Sequence, residues 1–173
     1  AFHGGGVYNA GTLTVSDGVV RENVAQQGGG VYNAGTLTLT DCVLADNASI
    51  QQRQASVNGG GIINAGTETG KATLTIERCT IENNSSTGEG GGIGNVTYQH
   101  DSVAELTVKR STIVSNTAGY GGGASVYAQF GGAAYATFVN TTVSGNQASN
   151  DGGGYDVDIL SDGTTAHLSL IHT

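Results

Sequence analysis

The 173-residue sequence has no Pro, Met or Trp, and only 12% of its residues are charged. Helical domains normally cover their surface with Lys and Glu, so this scarcity of charge disfavours a helical protein. The lack of Pro and of a Gly-X-Y period excludes collagen, although the chain contains 30 Gly. No run of 18 apolar residues occurs, so the sequence predicts no membrane insertion in this segment.

Basic residues are also scarce. The chain has six Lys and Arg residues and 14 Asp and Glu residues, and its formal net charge is -8. The six are scattered along the chain, which disfavours a nucleic-acid partner because phosphate binding needs a basic patch. Two cysteines do not make a disulfide framework or a zinc site, and the sequence predicts no metal and no cofactor. The chain starts at Ala1 without a leader, which indicates a processed or excised piece.

What the sequence does contain is a repeat. A Gly-Gly-Gly triplet recurs after steps of 24, 31, 31, 31 and 31 residues. The first two units, GGGVYNAGTLTVSDGVVREN and GGGVYNAGTLTLTDCVLADN, are almost copies, and the last unit stops part-way. Residues 1–173 are therefore one domain of repeat units, which start at positions 4, 28, 59, 90, 121 and 152.

Within each unit, apolar residues alternate with polar ones, as in Thr12-Leu13-Thr14-Val15. Alternation with period 2 predicts strands that each have one apolar face, and each unit has three such short segments. One unit cannot bury these faces alone, whereas stacked units can. The predicted fold is all-β: a single-stranded parallel β-helix, or β-solenoid, of about six rungs with three short strands each.

Asparagine recurs at two fixed places in the unit. We expect each Asn to adopt the left-handed conformation at a corner and to hydrogen-bond its stacked neighbour. The Gly triplets would allow sharp corners and close approach of neighbouring backbones. One column closes the first strand and the other closes the third strand: Asn9, Asn33, Asn64 and Asn95, then Asn23, Asn47, Asn84, Asn116 and Asn146.

The pattern GGG[VI]xN, then TLT, then [VIL]xxN resembles the repeats of polymorphic outer-membrane proteins, which read GGA[IL] and FxxN. It is also similar to other surface proteins with right-handed parallel β-helix repeats. The resemblance implies a right-handed coil and an extracellular or cell-surface location, as an autotransporter passenger or adhesin. The chain departs from that pattern because an aliphatic residue replaces Phe, as in Val20-Arg-Glu-Asn23, and because it has no membrane-barrel segment.

Cys42 and Cys79 occupy the same repeat position as Gly18, Ser111 and Thr141. All of these side chains are small and are predicted to point inward. The two cysteines would then lie one above the other on adjacent rungs. A buried, reduced pair is the favoured interpretation, and a disulfide is the alternative because the rung spacing falls within the permitted Cα range.

One acidic cluster stands out: Asp156, Asp158 and Asp162. The first two share a strand face by period 2. They could bind Ca²⁺ or act as paired carboxylates in glycoside cleavage, but a solvated loop is the favoured interpretation. Polygalacturonase-like β-helix enzymes carry paired-Asp, Gly-His-Gly and Arg-x-Lys motifs, and none of these motifs occurs in this sequence.

Two outward arrays could form a binding surface. A regular Thr-x-Thr array over three rungs resembles ice-binding surfaces, although Thr is also simply a good exposed strand residue. An outward aromatic column could contact a protein or a sugar, unless it lies under an insertion loop. The first array is Thr12, Thr14, Thr36, Thr38, Thr73 and Thr75, and the second is Tyr8, Tyr32 and Ile63.

These observations predict a non-enzymatic, extracellular or cell-surface β-helix module with a structural or adhesive role. Its partner would be a protein or a glycan surface. No polar cap is recognisable at either end, so we expect a fragment of a longer protein, or a subunit capped by a partner or stacked head-to-tail in a filament. The alternatives are a carbohydrate-active, pectate-lyase-like enzyme that uses Asp156 and Asp158, and an ice-binding solenoid.

Overall fold

A computed structural model describes residues 1–50, 58–67, 70–159, 161 and 163–173. The described residues form 22 strands and no helix, and hence no helix that could span a membrane. The first two turns contain β1 (Val7–Asn9), β2 (Thr12–Ser16), β3 (Val19–Arg21), β4 (Val24–Ala25), β5 (Val31–Asn33), β6 (Thr36–Thr40), β7 (Val43–Ala45) and β8 (Ala48–Ser49). The third and fourth turns contain β9 (Ile62–Gly66), β10 (Lys71–Glu77), β11 (Thr80–Glu82), β12 (Ser85–Ser86), β13 (Ile93–Thr97), β14 (Val103–Lys109), β15 (Thr112–Val114) and β16 (Thr117–Tyr120). The last two turns contain β17 (Ala124–Ala128), β18 (Ala133–Val139), β19 (Thr142–Ser144), β20 (Gln147–Asp151), β21 (Tyr155–Ile159) and β22 (Thr165–Ile171).

Corresponding strands of successive turns pair in parallel and build four sheets. The first sheet has the order β1-β5-β9-β13-β17-β21 and the second β2-β6-β10-β14-β18-β22. The third runs β3-β7-β11-β15-β19 and the fourth β4-β8-β12-β16-β20. The predicted parallel β-helix, with about three main strands per turn, is confirmed. The fourth sheet was not predicted, because several of its strands have only two residues and lack a recognisable alternation.

The core lies inside the coil, where the inward side chains of the sheets meet. Leu37, Leu74 and Leu106 come from successive strands of the second sheet and are at most 2% exposed. Ile81 and Ile113 meet them from the third sheet. Burying one aliphatic side chain of this size stabilises the fold by about 1.5–3 kcal/mol, and stacking adds such residues in every turn. The predicted alternation of inward apolar and outward polar residues is confirmed.

The Gly triplets make the corner that precedes the first sheet. The first glycine of each triplet has a positive φ, for example 61° at Gly28 and 58° at Gly121. The second glycine is enclosed by backbone: a Cβ on Gly122 would sit 2.6 Å from the carbonyl oxygen of Gly153 in the next turn and 2.3 Å from that of Gln147 in β20. The predicted sharp corner and close backbone approach are both confirmed.

The first asparagine column forms a continuous hydrogen-bonded ladder inside the coil. The Nδ2 atoms of Asn9, Asn33 and Asn64 each donate to the Oδ1 atom of the next Asn at 2.7 Å. The Nδ2 of Asn33 also donates to the carbonyl oxygen of Thr73 in the second sheet of the next turn. The ladder therefore ties the first sheet to the second, as well as one turn to the next.

The second column forms an equivalent ladder after the third sheet. Asn84 donates its Nδ2 hydrogens to Asn116 Oδ1 at 3.0 Å and to the carbonyl oxygen of Leu44 at 2.9 Å. Its Oδ1 accepts both the backbone N–H and the Nδ2–H of Asn47. The same pattern runs from Asn23 to Asn146.

The predicted left-handed conformation of these asparagines is wrong. The residue before each Asn of the second column makes the bend, with φ of 56° at Asp46, 53° at Asn83 and 57° at Ser115. No ladder Asn has a positive φ among the described residues. The bend lies one position earlier, and the Asn side chain bonds the Asn of the next turn.

The cysteines belong to a third ladder, at the corner between the second and third sheets. Both are free and buried, which confirms the predicted reduced pair on adjacent turns. Cys79 Sγ accepts the backbone N–H of Cys42 at 3.3 Å and donates to the carbonyl oxygen of Glu77 at 3.3 Å. One turn further on, Ser111 Oγ accepts the N–H of Cys79 and donates to Lys109. The thiols thus make the same contacts as a hydroxyl.

Candidate functional site

The predicted threonine array lies on the outer face of the second sheet. Thr12, Thr36 and Thr73 pair in register, and the column then continues as Glu105, Tyr135 and His167. The neighbouring column is more uniform: Thr14, Thr38, Thr75, Thr107, Thr137 and Ser169. A regular array two threonines wide therefore spans three turns only, and ice binding stays a prediction.

The predicted exposed column of Tyr8, Tyr32 and Ile63 is wrong for two of its three members. The residues are in register on the outer side of the first sheet, but Tyr32 is 7% and Ile63 0% exposed. Together with Ala65, Val96 and Tyr127 they form a second apolar cluster outside the coil. Tyr8 is 57% exposed, and its ring stacks on Tyr32 at 5.5 Å. A buried layer, and not an open aromatic stripe, covers this face.

The same outer face becomes acidic in the sixth turn. Asp156 and Asp158 lie on β21 and are both partly buried. They pair in register with Ser125 and Tyr127 of β17, which are 0% and 7% exposed. The shared face predicted for the two aspartates is confirmed. The interpretation of these two residues as a solvated loop is wrong, because β21 continues the sheet to this point.

A third carboxyl group, Glu89, joins them, and sequence reasoning missed it. Glu89 lies just before the Gly triplet of the fourth turn and forms an isolated parallel bridge with Tyr120. Its Oε2 accepts a hydrogen bond from Ser125 Oγ at 2.7 Å. We call Glu89, Asp156 and Asp158 the carboxyl cluster.

Burial and mutual repulsion shape the electrostatics of this cluster. Burial raises the pKa of Glu89 to about 7, and the charges of Asp156 and Asp158 act in the same direction, while the hydrogen bond from Ser125 opposes them. Burial and the charge of Asp158 also raise the pKa of Asp156. The pKa of Tyr127 rises to about 12, again from burial first and then from Glu89 and Asp158. A carboxyl that is half protonated near neutral pH thus sits beside two further carboxyl groups.

This arrangement can do two things chemically. A protonated Glu next to an ionised Asp is the pairing that general acid catalysis of glycoside cleavage requires. The same group of acids also forms a negatively charged face for a partner. Among the described residues, no group of three His, Cys, Asp or Glu is arranged to hold a metal ion. Asp162, the third aspartate of the predicted Ca²⁺ site, lies outside the described residues.

Glu89 could have been found from the repeat. The residue before each Gly triplet forms its own column, which reads His3, Gln27, Asn58, Glu89, Tyr120 and Asp151. This column runs beside the outward column that contains Ser125 and Asp156. Because Glu89 is 67 residues away from Asp156 in the chain, a search for local acidic runs passes over it.

A cavity of about 270 Å³ opens at the sixth turn, apart from the carboxyl cluster. Inward side chains, including Phe138, Val143 and Tyr155, form most of its wall. Among the described residues, no Asp, Glu, Lys or Arg lines it. It is an opening into the apolar core at the sixth turn, with Thr141 and His172 as the polar residues of its wall.

The fold and these surfaces define a protein of the parallel β-helix class, built from Gly-Gly-Gly repeats. No protein-family model matches the chain, and no curated protein or solved structure matches it either. The class assignment therefore stands on the strand topology and on the internal repeat.

Proposed function

We propose that the chain is a non-catalytic β-helix module of an extracellular or cell-surface protein, which presents its outer faces to a protein or glycan partner. One observation carries this proposal. Along the second sheet, an inward column keeps nearly the same residue in every turn, whereas the outward column beside it changes from turn to turn. The inner column reads Leu13, Leu37, Leu74, Leu106, Ala136 and Leu168, whereas the outer one beside it reads Thr12, Thr36, Thr73, Glu105, Tyr135 and His167. A constant interior beneath a changing surface is what a binding scaffold requires.

The repeat itself supports the proposed location. Its pattern resembles the repeats of polymorphic outer-membrane proteins, which supports display on a cell surface as a passenger or adhesin. The low content of charge and the excess of acid fit a polar, threonine-rich exterior. Immunodetection on intact source cells, before and after brief treatment with a protease, tests this location. A signal confined to lysed cells would contradict it.

Binding is tested on immobilised partners of defined chemistry. The panel contains neutral, acidic and cationic polysaccharides and purified matrix proteins, and surface plasmon resonance measures affinity. Asp158→Asn alters the carboxyl cluster and Thr38→Tyr alters the second sheet. We expect one of these changes to weaken binding at least about tenfold, since few residues carry most of an interface's energy.

A matched control separates binding from folding. Glu82→Gln changes a polar residue on the third sheet, away from both faces, and should leave affinity and thermal midpoint unchanged. Equal affinity of the parent and both face variants for every partner that binds, or no binding to any partner, would contradict the proposed surfaces.

Head-to-tail self-association belongs to the same proposal. Stacking of one coil on another would continue the parallel sheets and generate an open, filament-forming contact. Sedimentation velocity and electron microscopy across a concentration series test it. A monomer at the highest concentration argues against self-association and leaves binding to other partners intact.

The second candidate is a carbohydrate-active enzyme, and the raised pKa of Glu89 favours it. In this scheme Glu89 would protonate the leaving oxygen, and Asp156 or Asp158 would act as nucleophile or as base for a water molecule. Release of reducing ends or of unsaturated products from a polysaccharide panel is the assay. Turnover that both Glu89→Gln and Asp156→Ala abolish, while Glu82→Gln keeps it, would establish this candidate over the first.

A further inference from the structure

We propose that the carboxyl cluster makes the attachment of β21 to β17 responsive to pH, so that the sixth turn is held firmly in acid and loosens as the cluster loses its protons. The proposal concerns the coil itself, and it holds whether or not the outer face binds a partner. It rests on where the three acids lie, on what surrounds them and on the charge that each can carry.

The three acids come from two separate parts of the coil. Glu89 precedes the fourth turn and is anchored by its backbone, because its carbonyl oxygen accepts the N–H of Gly59 at 3.0 Å. Its carboxylate reaches forward to Ser125 on the fifth turn. Asp156 and Asp158 belong to the sixth turn. The cluster therefore bridges the joint between β17 and β21, and repulsion within it acts directly on that joint.

Among the described residues, the groups that face Glu89 are acids or neutral side chains. It is surrounded by Ser125 and Tyr127 of β17, by Tyr120 of β16 and by the two aspartates of β21. Asp151, at the end of β20, adds to the negative charge near Asp156. The ion pairs between described residues all lie elsewhere, and none uses a member of the cluster: Arg21–Glu22, Lys71–Glu105, Arg78–Asp41, Arg78–Glu77, Arg110–Glu77 and His100–Asp101.

The sign of the effect follows from the protonation of Glu89. Its pKa is raised from 4.5 to about 7 in the folded chain. A raised carboxyl pKa means that folding favours the protonated form, so the stabilisation is complete below pH 4.5 and is lost as the pH rises through 7. The pKa of Asp156 is shifted in the same direction. Above neutral pH, three negative charges meet across the joint.

Hydrogen exchange measures the joint directly. Amide exchange of β21 is compared with that of β6, which lies in the second turn, at pH 5 and pH 8 after correction for the intrinsic rates. We expect opening of β21, relative to β6, to increase at least about tenfold at pH 8, since a shift of more than one pKa unit corresponds to more than a tenfold change in the equilibrium.

Three variants make the test specific. Glu89→Gln can keep the hydrogen bond to Ser125 and cannot ionise. The opening of β21 relative to that of β6 should therefore change less than about twofold between the two pH values. Ser125→Ala removes the bond that favours the ionised form, so the transition should move to higher pH. Glu82→Gln, on the third sheet, should behave as the parent chain does.

Two results would overturn the proposal. One is a parent chain whose β21 opens equally at both pH values. The other is a Glu89→Gln variant that keeps the full pH dependence of the parent. If Glu89→Gln does not fold, the shift predicted for Ser125→Ala decides the question alone: an unchanged midpoint rejects the role of Glu89.

Discussion

Replacing Asn84 by Ala should be one of the most damaging single changes in the chain. Asn84 is 0% exposed and stands in the middle of the second asparagine ladder. Its side chain accepts two hydrogen bonds from Asn47 and donates two, to Asn116 and to the carbonyl oxygen of Leu44. Alanine can make none of these contacts, and the surrounding groups are buried away from water.

The magnitude follows from what loses its partner. The backbone N–H of Asn47 loses the acceptor that it has in the ladder, and an orphaned buried donor costs about 1–3 kcal/mol. Three further hydrogen bonds of the side chain disappear at about 0.5–1.5 kcal/mol each. The free energy of unfolding should therefore fall by about 2.5–7.5 kcal/mol.

Asn23→Ala is the matched control in the same ladder. The ladder runs in one direction, and Asn23 donates to Asn47 Oδ1 and to the exposed carbonyl of Arg21. After the change, Asn47 Oδ1 still accepts the backbone N–H of residue 23. We expect a loss of about 1 kcal/mol or less. Urea denaturation followed by circular dichroism measures both variants, and equal losses for Asn84→Ala and Asn23→Ala would refute the buried-ladder argument.

The remaining predictions concern packing, the thiols and pH. Gly122→Ala should cost about 1–3 kcal/mol by urea denaturation, because its Cβ would overlap the Gln147 carbonyl, whereas Gly11→Ala has open space and should stay within about 0.5 kcal/mol of the parent. Burial raises the pKa of the Cys79 thiol to about 11, so a thiol-specific reagent should label it only on unfolding, and rapid labelling of the native chain would contradict the buried ladder. The free energy of unfolding should fall by up to about 3 kcal/mol as the pH rises from 4.5 to 7, because this is the free energy that corresponds to the raised pKa of Glu89. If the free energy of unfolding depends on pH equally steeply in Glu89→Gln, other groups cause the dependence.

The sequence predicted the strands that show a clear alternation in every turn and missed the fourth sheet. Regular spacing of the Gly triplets, of alternating pairs such as Leu74 and Ile76, and of the two asparagine columns was enough to predict stacked parallel strands. The fourth sheet escaped because its strands are too short to show a period. The left-handed bend was assigned to the ladder asparagines, although it lies one residue earlier, because backbone conformation at a corner is set by the turn as a whole.

The surfaces were harder to predict than the interior. Period 2 placed Tyr32 and Ile63 on the outside of the first sheet, but it could not show that a second apolar layer covers them. The pair of Asp156 and Asp158 was visible as a local pattern, whereas Glu89 was not, since its contact with Ser125 joins different turns.

By itself, the sequence determined the architecture, because stacking identical units requires the same small, apolar or amide side chain at the same place in every turn. Only the tertiary structure decided which outward residues are exposed and which acids share one site. Those properties depend on neighbours about 30 residues apart in the chain that lie one strand apart in space, at roughly 4.8 Å. Coiling brings Glu89 to the aspartates of β21, and the loss of solvent there gives its carboxyl a pKa near neutrality.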